Sequence, residues 1–376
     1  MTDFTYPGVY VLEDPSLTLS VGHSETAVPV IFYDKAEGDS FIADTSNRVV
    51  PVDSWLSFTK LYQSAKKPDY EKSLAPAVHS YFDNGGGRCY LAPADSTQSN
   101  IVQQLTSLTD VTLLVQAGCA LKDFSGMIGQ TELSKVFALY DAVETAGTEA
   151  PTLEQLTKGC DRSDQGAVYY PHLVTTQYVP PTNGTPTATK VPASAAVAGA
   201  YCKVDSLRGV WKAPANVTLS GGLSPSIDIS DAVQGELNKG KAVNVIRKFR
   251  NGDTLIWGAR TLDAGEDWRY VPVRRLFNSI EVDIKLAMQP ALFEPNMPAT
   301  WERVRSAIDN YLHSLWQQGA LFGTKPEEAY FVKIGLNVTM SSQDIEQGKM
   351  IVKVGVAAVR PAEFIVLEFS QFVANS

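Results

Sequence analysis

The nearest approach to a reactive motif in this sequence is Gly235-Glu-Leu-Asn-Lys-Gly240-Lys241-Ala242, one residue short of a phosphate-binding loop. Such a loop cradles phosphates in backbone N–H groups, reaches them with its lysine and places a Ser or Thr hydroxyl on magnesium. Here Ala242 stands where that hydroxyl belongs. The order of elements is also reversed. A phosphate loop runs from strand to helix, whereas Asp231 to Leu237 patterns as a helix and Val243 to Ile246 as the strand that follows. The segment reads as a helix-terminating turn. Asn84-Gly-Gly-Gly87-Arg88 has the glycines to approach a phosphate, but it leads into a strand where a dinucleotide fingerprint leads into a helix. A turn needing positive φ angles accounts for it.

No other constellation does better. The four histidines, His23, His79, His172 and His313, are scattered, and neither GxSxG nor HExxH occurs. Cys89, Cys119, Cys160 and Cys202 lie far apart without a CxxC pair, which argues against zinc and redox motifs. Four in 376 residues are too sparse for a disulfide scaffold, so they read as reduced, mostly buried apolar side chains. No catalytic set, metal or cofactor is expected.

The elements around these segments set the architecture. A chain of 376 residues should form two or three domains. A net charge of −9 is the opposite of a nucleic-acid binder's footprint. It reads as solubility, or as repulsion that keeps free subunits apart. The N-terminal MTDFTYPGVY lacks the basic and apolar regions of a signal peptide, and no run approaches 18 apolar residues. The expectation is a protein that folds and acts from the cytoplasm of its producer.

After the Pro7-Gly8 turn signal, Val9 to Leu12 is apolar on both faces, and Leu17, Leu19 and Val21 alternate with polar or small residues. Phe364 to Leu367 repeats the apolar run at the other end, with strand character to Val373. A lone apolar strand leaves a sticky edge, so both ends call for partners. Between them runs an α/β rhythm. Helices are predicted over Ser54–Ala65, Leu74–Phe82, Thr131–Thr145 and Ser194–Ser206, and strands over Cys89–Pro93, Val111–Val115 and Ala167–Val174. Pro180 to Pro192 reads as an exposed loop. A second unit should begin near 244 with strands Val243–Ile246 and Thr254–Trp257, then helices Arg274–Met288 and Ala299–Gln318. Trp301, Val304, Ile308, Leu312 and Leu315 share one face of the longer helix. Two alternating strands, Val332 to Val338 and Val352 to Val356, should pack on it as an α+β layer. Their connector, Ser341 to Met350, should carry a short helical turn between Ser342 as N-cap and Gly348 as C-cap.

The last 120 residues are dense in motifs without reactive groups. From Trp257 they read WGARTLDAGEDWRYVPVRRLFNSIE, then FEPNMPATWERV, LWQQGALFGTKPEEAYFVK and VGVAAVRPAEFIVLEF. This region closely resembles the C-terminal part of contractile tail sheath proteins of bacteriophages and phage-tail-like injection particles. Tyr6–Glu13, Phe82–Tyr90, Val191–Ala200 and Arg208–Asn216 fit the same family in the same order. The resemblance covers 1–25, 80–92 and 190–376 and thins over 93–189, and the chain is compact for a sheath.

The resemblance implies an α/β plus α+β protein. An N-terminal arm (1–22) precedes an α/β outer body (23–243), subtilisin-like in shape only. A C-terminal sheath domain facing the tube (244–362) and a C-terminal arm (363–376) follow. The arms would be exchanged between subunits as β-strands, through Val9, Tyr10, Val11 and Leu12 and through Phe364, Ile365, Val366 and Leu367. Arg269, Arg274 and Arg275, with Trp268 and Tyr270, would serve packing and inter-subunit pairing, where an isolated reading would suggest nucleic-acid stacking. The implied function is a structural subunit that polymerises helically around an inner tail tube, meets baseplate and tail terminator proteins, and contracts to drive the tube through an envelope. It would contact no nucleic acid directly and insert in no membrane. Assembly is expected in the bacterial cytoplasm, as part of a virion tail or a phage-tail-like particle. On the connector, Asp344, Glu346 and Lys349 are expected to touch the tube, against the plainer reading of a solvated link. Two other classes remain open at this point: a non-contractile baseplate or tail-terminator component, and a cytoplasmic α/β hydrolase.

Overall fold

A computed structural model of the chain describes residues 19–34, 48–63, 74–94, 99–120, 124, 135–143, 151–160, 164–178 and 185–364. The terminal strands expected at Val9–Leu12 and Ile365–Leu367 lie outside these residues. Fourteen strands are described: β1 (Pro29–Tyr33), β2 (Val50–Val52), β3 (Cys89–Pro93), β4 (Leu113–Val115), β5 (Phe137–Asp141), β6 (Gly166–Tyr170), β7 (Leu173–Thr175), β8 (Thr189–Val191), β9 (Val217–Thr218), β10 (Ser224–Pro225), β11 (Val243–Lys248), β12 (Thr254–Ile256), β13 (Tyr330–Lys333) and β14 (Lys353–Val356).

Nine of them form one sheet in the order β2-β3-β1-β4-β5-β6-β11-β12-β9. The central six, from β3 to β11, run parallel. β2 at one edge and β12 and β9 at the other run antiparallel to their neighbours. Strands buried on both faces read as continuous apolar runs, and β1, β3, β5 and β6 are buried at every residue. One apolar cluster holds Ile31, Leu91, Leu139 and Tyr169 with helices Leu74–Asp83 and Ala193–Arg208. The other holds Phe32, Tyr90, Tyr140 and Tyr170 with Ile101, Leu105 and Leu237 of helices Ser99–Ser107 and Asp231–Leu237. Helix Ala193–Arg208 owes its small residues to a close crossing: a Cβ on Gly199 would sit 2.2 Å from the Tyr81 carbonyl oxygen.

Contacts divide the chain into two units. One is Ser24–Ile280 together with the chain from Ala358, and it contains the nine-stranded sheet and a small sheet in the order β10-β7-β8. The other is Glu281–Ala357 together with residues 19–23. It contains the antiparallel pair β13–β14 and helix Pro298–Gln317, which buries Trp301, Val304, Ile308, Leu312 and Leu315. The strands with which the second unit was expected to begin, at 243–248 and 254–256, belong to the large sheet.

Four local expectations fail. The strand predicted over Ala167–Val174 is two, β6 and β7, in different sheets. The helix predicted over Thr131–Thr145 is, in its described part, strand β5. Its apolar residues match helical spacing because a strand buried on both faces needs apolar residues at consecutive positions, which satisfies either period. The loop predicted over Pro180–Pro192 contains β8, where Thr189 and Val191 are buried and only Lys190 is exposed. The strand predicted to reach Val338 stops at Lys333. Gly335 (φ 151°) and Asn337 (φ 60°) turn the backbone there and leave Leu336 and Val338 exposed.

Candidate functional site

In open α/β sheets ligands bind beyond the carboxyl ends of the strands, where the strand order reverses. Here that place lies between β1 and β4, since β3 sits on one side of β1 and β4 on the other. The described strand ends beside it are tied to one another and to a helix of the same chain. The Asp141 carboxylate, at the end of β5, accepts from the Ser194 backbone N–H (2.8 Å), the Ser194 hydroxyl (2.7 Å) and the Gly118 N–H (2.9 Å). Ser194 Oγ in turn accepts from Ala117 N–H (2.9 Å). Gln116 bridges the Asp141 N–H and the Cys119 carbonyl, and Asp34 Oδ1 takes the Ala120 N–H. This carboxylate and serine therefore tie the first turn of helix Ala193–Arg208 to two strand ends.

The glycine motifs are structural in the same sense. Helix Asp231–Leu237 ends at Asn238, Gly240 (φ 64°) turns the chain, and β11 follows. Lys239 pairs with Glu236 on that helix (2.7 Å). In the other motif, Asn84 joins the Ser80 carbonyl (2.7 Å) to the Ser220 N–H (2.8 Å), and a Cβ on Gly86 would collide with the Tyr81 ring. His79 stacks on Trp55 at 4.1 Å. Burial pushes its pKa below the usual imidazole value, against the opposing pull of Asp83. Among the described residues no three His, Cys, Asp or Glu side chains group as metal ligands.

Of the arginine and aromatic cluster, Arg274 and Arg275 are turned inward, while Trp268, Arg269 and Tyr270 are partly exposed. Arg275 pairs with Asp205 (2.6 Å), both nearly fully buried, and lies 4.7 Å from the Tyr201 ring centre. Arg274 donates to Asn278 (2.8 Å) and covers Trp268 at 4.1 Å. Arg269 lies 3.5 Å from Glu266. Arg274 and Arg275 thus serve the packing expected of them, within their own chain.

The surfaces left for partners lie elsewhere. β13 and β14 pair with each other and, among the described residues, with no other strand. Their connector holds helix Ser342–Glu346. Its N-cap is Ser341, one residue before the expected Ser342, and Asp344 completes a capping box: the Asp344 carboxylate accepts from the Ser341 N–H (2.9 Å) and hydroxyl (2.7 Å). These bonds hold the Asp344 carboxyl below its ordinary pKa. Gly348 (φ 74°) ends the helix, and its N–H and that of Lys349 return to Ile345 and Asp344. Asn296 accepts from the Trp301 indole and donates to the Lys349 carbonyl, which fixes the connector to the start of the long helix. Glu346 and Lys349 are exposed, whereas Asp344 is half-buried and engaged. Leu292, Phe293 and Met297, between the two long helices, are also exposed, Phe293 completely and with φ 69°. The sequence reading passed over them, although FEPNMP, with Pro295 and Pro298 on either side of Asn296 and Met297, is an exposed-turn signal.

The arm roots are described even though the strands beyond them are not. Leu19, Val21 and His23 line a cavity of about 190 Å³ with Ala307 and Tyr311 of helix Pro298–Gln317. At the other end Phe364 is 77% exposed, and the Glu363 carboxylate is held by Arg260 and Tyr270.

Residues 162–262 match the phage tail sheath protein central domain, and residues 263–372 the phage tail sheath C-terminal domain. No curated protein matches the chain. Among solved structures, the chain is 48% identical to the contracted sheath of PVC, an extracellular contractile injection system, over 99% of both chains with a TM-score of 0.84. It is 41% identical to the contracted helical sheath of the anti-feeding prophage (98% of this chain, 100% of that one, TM-score 0.79). It is 39% identical to a chain of the anti-feeding prophage baseplate structure (99% and 100%, TM-score 0.76). Fold and surface thus define a structural assembly subunit. The chain belongs to the contractile tail sheath family, whose members form helical sheaths in phage tails and phage-tail-like injection particles. A purely non-contractile component is not favoured, since its high-identity matches include contracted sheaths.

Proposed function

We propose that the chain forms its sheath by exchanging terminal strands, and that the sheath surrounds an inner tube which its contraction drives forward. The single observation supporting the exchange is the β13–β14 pair. It has four residues per strand and, among the described residues, no further partner on either edge. The open edges of such a pair are templates for a third and fourth strand. Arms from neighbouring copies, carrying Val9–Leu12 and Phe364–Leu367, supply main-chain hydrogen bonds by strand addition. An arm of about ten residues reaches roughly 33 Å. A contact between copies whose rotation does not close yields an open helix. Connectivity through arms lets folded bodies repack, so that contraction releases energy stored at assembly.

In this reading the Glu281–Ala357 unit faces the tube, with Glu346 and Lys349 as the contact charges and Asp344 shaping the connector that presents them. Exposed ion pairs contribute only about 0–1 kcal/mol each. That suits a tube that must be released, and many copies sum to an adequate hold. Baseplate and terminator proteins cap the two ends, and assembly takes place in the producing cell's cytoplasm. No described helix is long and apolar enough to cross a membrane. Deleting residues 1–20 or 364–376 should leave a folded, soluble subunit that forms no tubes by negative-stain microscopy. Sheaths of normal length from either truncation refute strand exchange.

A further inference from the structure

Residues 359–364 have no regular secondary structure, and Ala362, Glu363 and Phe364 lie at the surface. Among the described residues, the hydrogen bonds that hold this segment all run through the Glu363 carboxylate. Arg260 grips it side-on: Nε donates to Oε1 (2.8 Å) and Nη2 to Oε2 (2.5 Å). Tyr270 adds its hydroxyl to Oε2 (3.2 Å). The third arm of the guanidinium, Nη1, donates to the Asn238 carbonyl at the C-terminal end of helix Asp231–Leu237 (2.8 Å). A cation is favoured there because the helix dipole is negative.

The grip is itself rigidly mounted. Arg260 and Tyr270 face each other in an antiparallel bridge. The Arg260 N–H donates to Asn244 Oδ1 (2.7 Å), and Asn244 Nδ2 donates to the Arg260 carbonyl (2.8 Å). Asn244 is buried in β11, and Gly258 leaves it room: a Cβ there would meet Asn244 Oδ1 at 2.7 Å. A side chain in the large sheet, the backbone of Arg260 and a helix end thus converge on one carboxylate, 103 residues away in sequence and two residues before Ile365. An ordinary surface ion pair has no such mounting, and a planar fork on a carboxylate fixes direction as well as distance.

We propose that Arg260, with Tyr270, anchors the C-terminal arm by gripping Glu363, and that this clamp sets the point and direction from which the arm leaves for a second copy of the chain. The inference rests on strand exchange as proposed above. A strand added to a neighbour's sheet transmits force only if its own root is fixed. The far end of the joint is held by main-chain hydrogen bonds and the near end by this clamp. Arg260 is a positioning residue, since it acts through Glu363.

The test uses the full-length chain with Glu363→Gln and Arg260→Met, beside deletion of 364–376. Losing a charged hydrogen-bonded pair lowers the ratio of anchored to free roots about 10- to 100-fold. The expected result has three parts. Chymotryptic cleavage after Phe364 in the free subunit accelerates at least about tenfold, in line with that ratio. The free subunit's Tm falls by less than about 3 °C. Sheath yield and length drop toward those of the deletion. Wild-type cleavage and wild-type sheaths from both variants, while the deletion abolishes tubes, overturn the anchor and leave strand exchange standing. Normal sheaths from the deletion overturn strand exchange and the anchor with it. A Tm loss that tracks the assembly loss through both variants marks the pair as merely structural and also overturns the anchor.

Discussion

Replacing Asp205 should be among the most damaging single changes to the Ser24–Ile280 unit, although Asp205 is hidden from the surface. Its side chain is 5% exposed and that of Arg275 is 3% exposed. Arg275 donates to both carboxylate oxygens (3.0 and 2.6 Å), and the Thr26 hydroxyl donates to the second (2.6 Å). The Thr26 carbonyl then accepts from the same guanidinium nitrogen (3.0 Å). Three segments, from the N-terminal approach to β1, helix Ala193–Arg208 and helix Val271–Met288, meet at this pair. Arg275 stays charged in the folded protein, its high pKa sustained by Asp205 against the burial that lowers it. Asp205→Ala leaves that cation without a counterion, and breaking a buried pair from one side costs about 3–5 kcal/mol. At about 2–4 °C per kcal/mol for a domain of this size, the Tm of the unassembled subunit should fall by roughly 6–20 °C. Asp205→Asn keeps an acceptor and should cost less. The double replacement Asp205→Leu with Arg275→Met removes both charges and should recover most of the loss, because apolar substitutes for a buried pair are often neutral. Calorimetry on the free subunit decides. An Asp205→Ala loss below about 1 kcal/mol, the scale of an exposed pair, refutes the reasoning. So does a double variant no better than the single.

Other consequences follow from neighbouring features. Glu346→Lys should shift assembly toward tube-free, contracted sheaths with an unchanged subunit Tm. Adding Asp344→Lys should also unravel the connector by losing the capping box, about 1 kcal/mol. Extended, tube-filled particles at wild-type frequency from the pair would place the tube contact elsewhere. For His79 the folded pKa lies below the unfolded one, so its contribution is fully present above the usual imidazole value and is lost as pH falls through that value toward the folded pKa. His79→Phe should flatten this part of the pH–stability curve, read by denaturant midpoints, and an unchanged slope would discount the effect of burial. Gly199→Ala should destabilise by about 1–3 kcal/mol through its clash with Tyr81. Gly235→Ala, in a helix and with nothing within 4 Å, should stabilise by up to about 1 kcal/mol.

Elements whose residues carry their own signal were legible in the chain. β3 appears over the predicted Cys89–Pro93, helix Pro298–Gln317 lies within one residue of the prediction, and the apolar face from Trp301 to Leu315 is buried as read. The motifs from Trp257 onward already pointed to the sheath family that the known structures establish. Local pattern suffices there because amphipathic spacing, turns and caps act over a few residues. It misled at Phe137–Asp141, where burial on both faces erases the difference between the two periods. It was silent on everything fixed by residues distant in sequence. The sheet order that places β11 beside β6, the inward turn of Arg274 and Arg275, the tie that Asp141 and Ser194 make between the β4 and β5 ends and helix Ala193–Arg208, and the Arg260 grip on Glu363 are all of this kind. So is the grouping of residues 19–23 with Glu281–Ala357, and of the chain from Ala358 with Ser24–Ile280. A charged or polar side chain reads alike whether it faces water or a partner a hundred residues away. Only the folded chain decides which, because the low dielectric and fixed geometry that make such a pairing strong exist only once the core has formed.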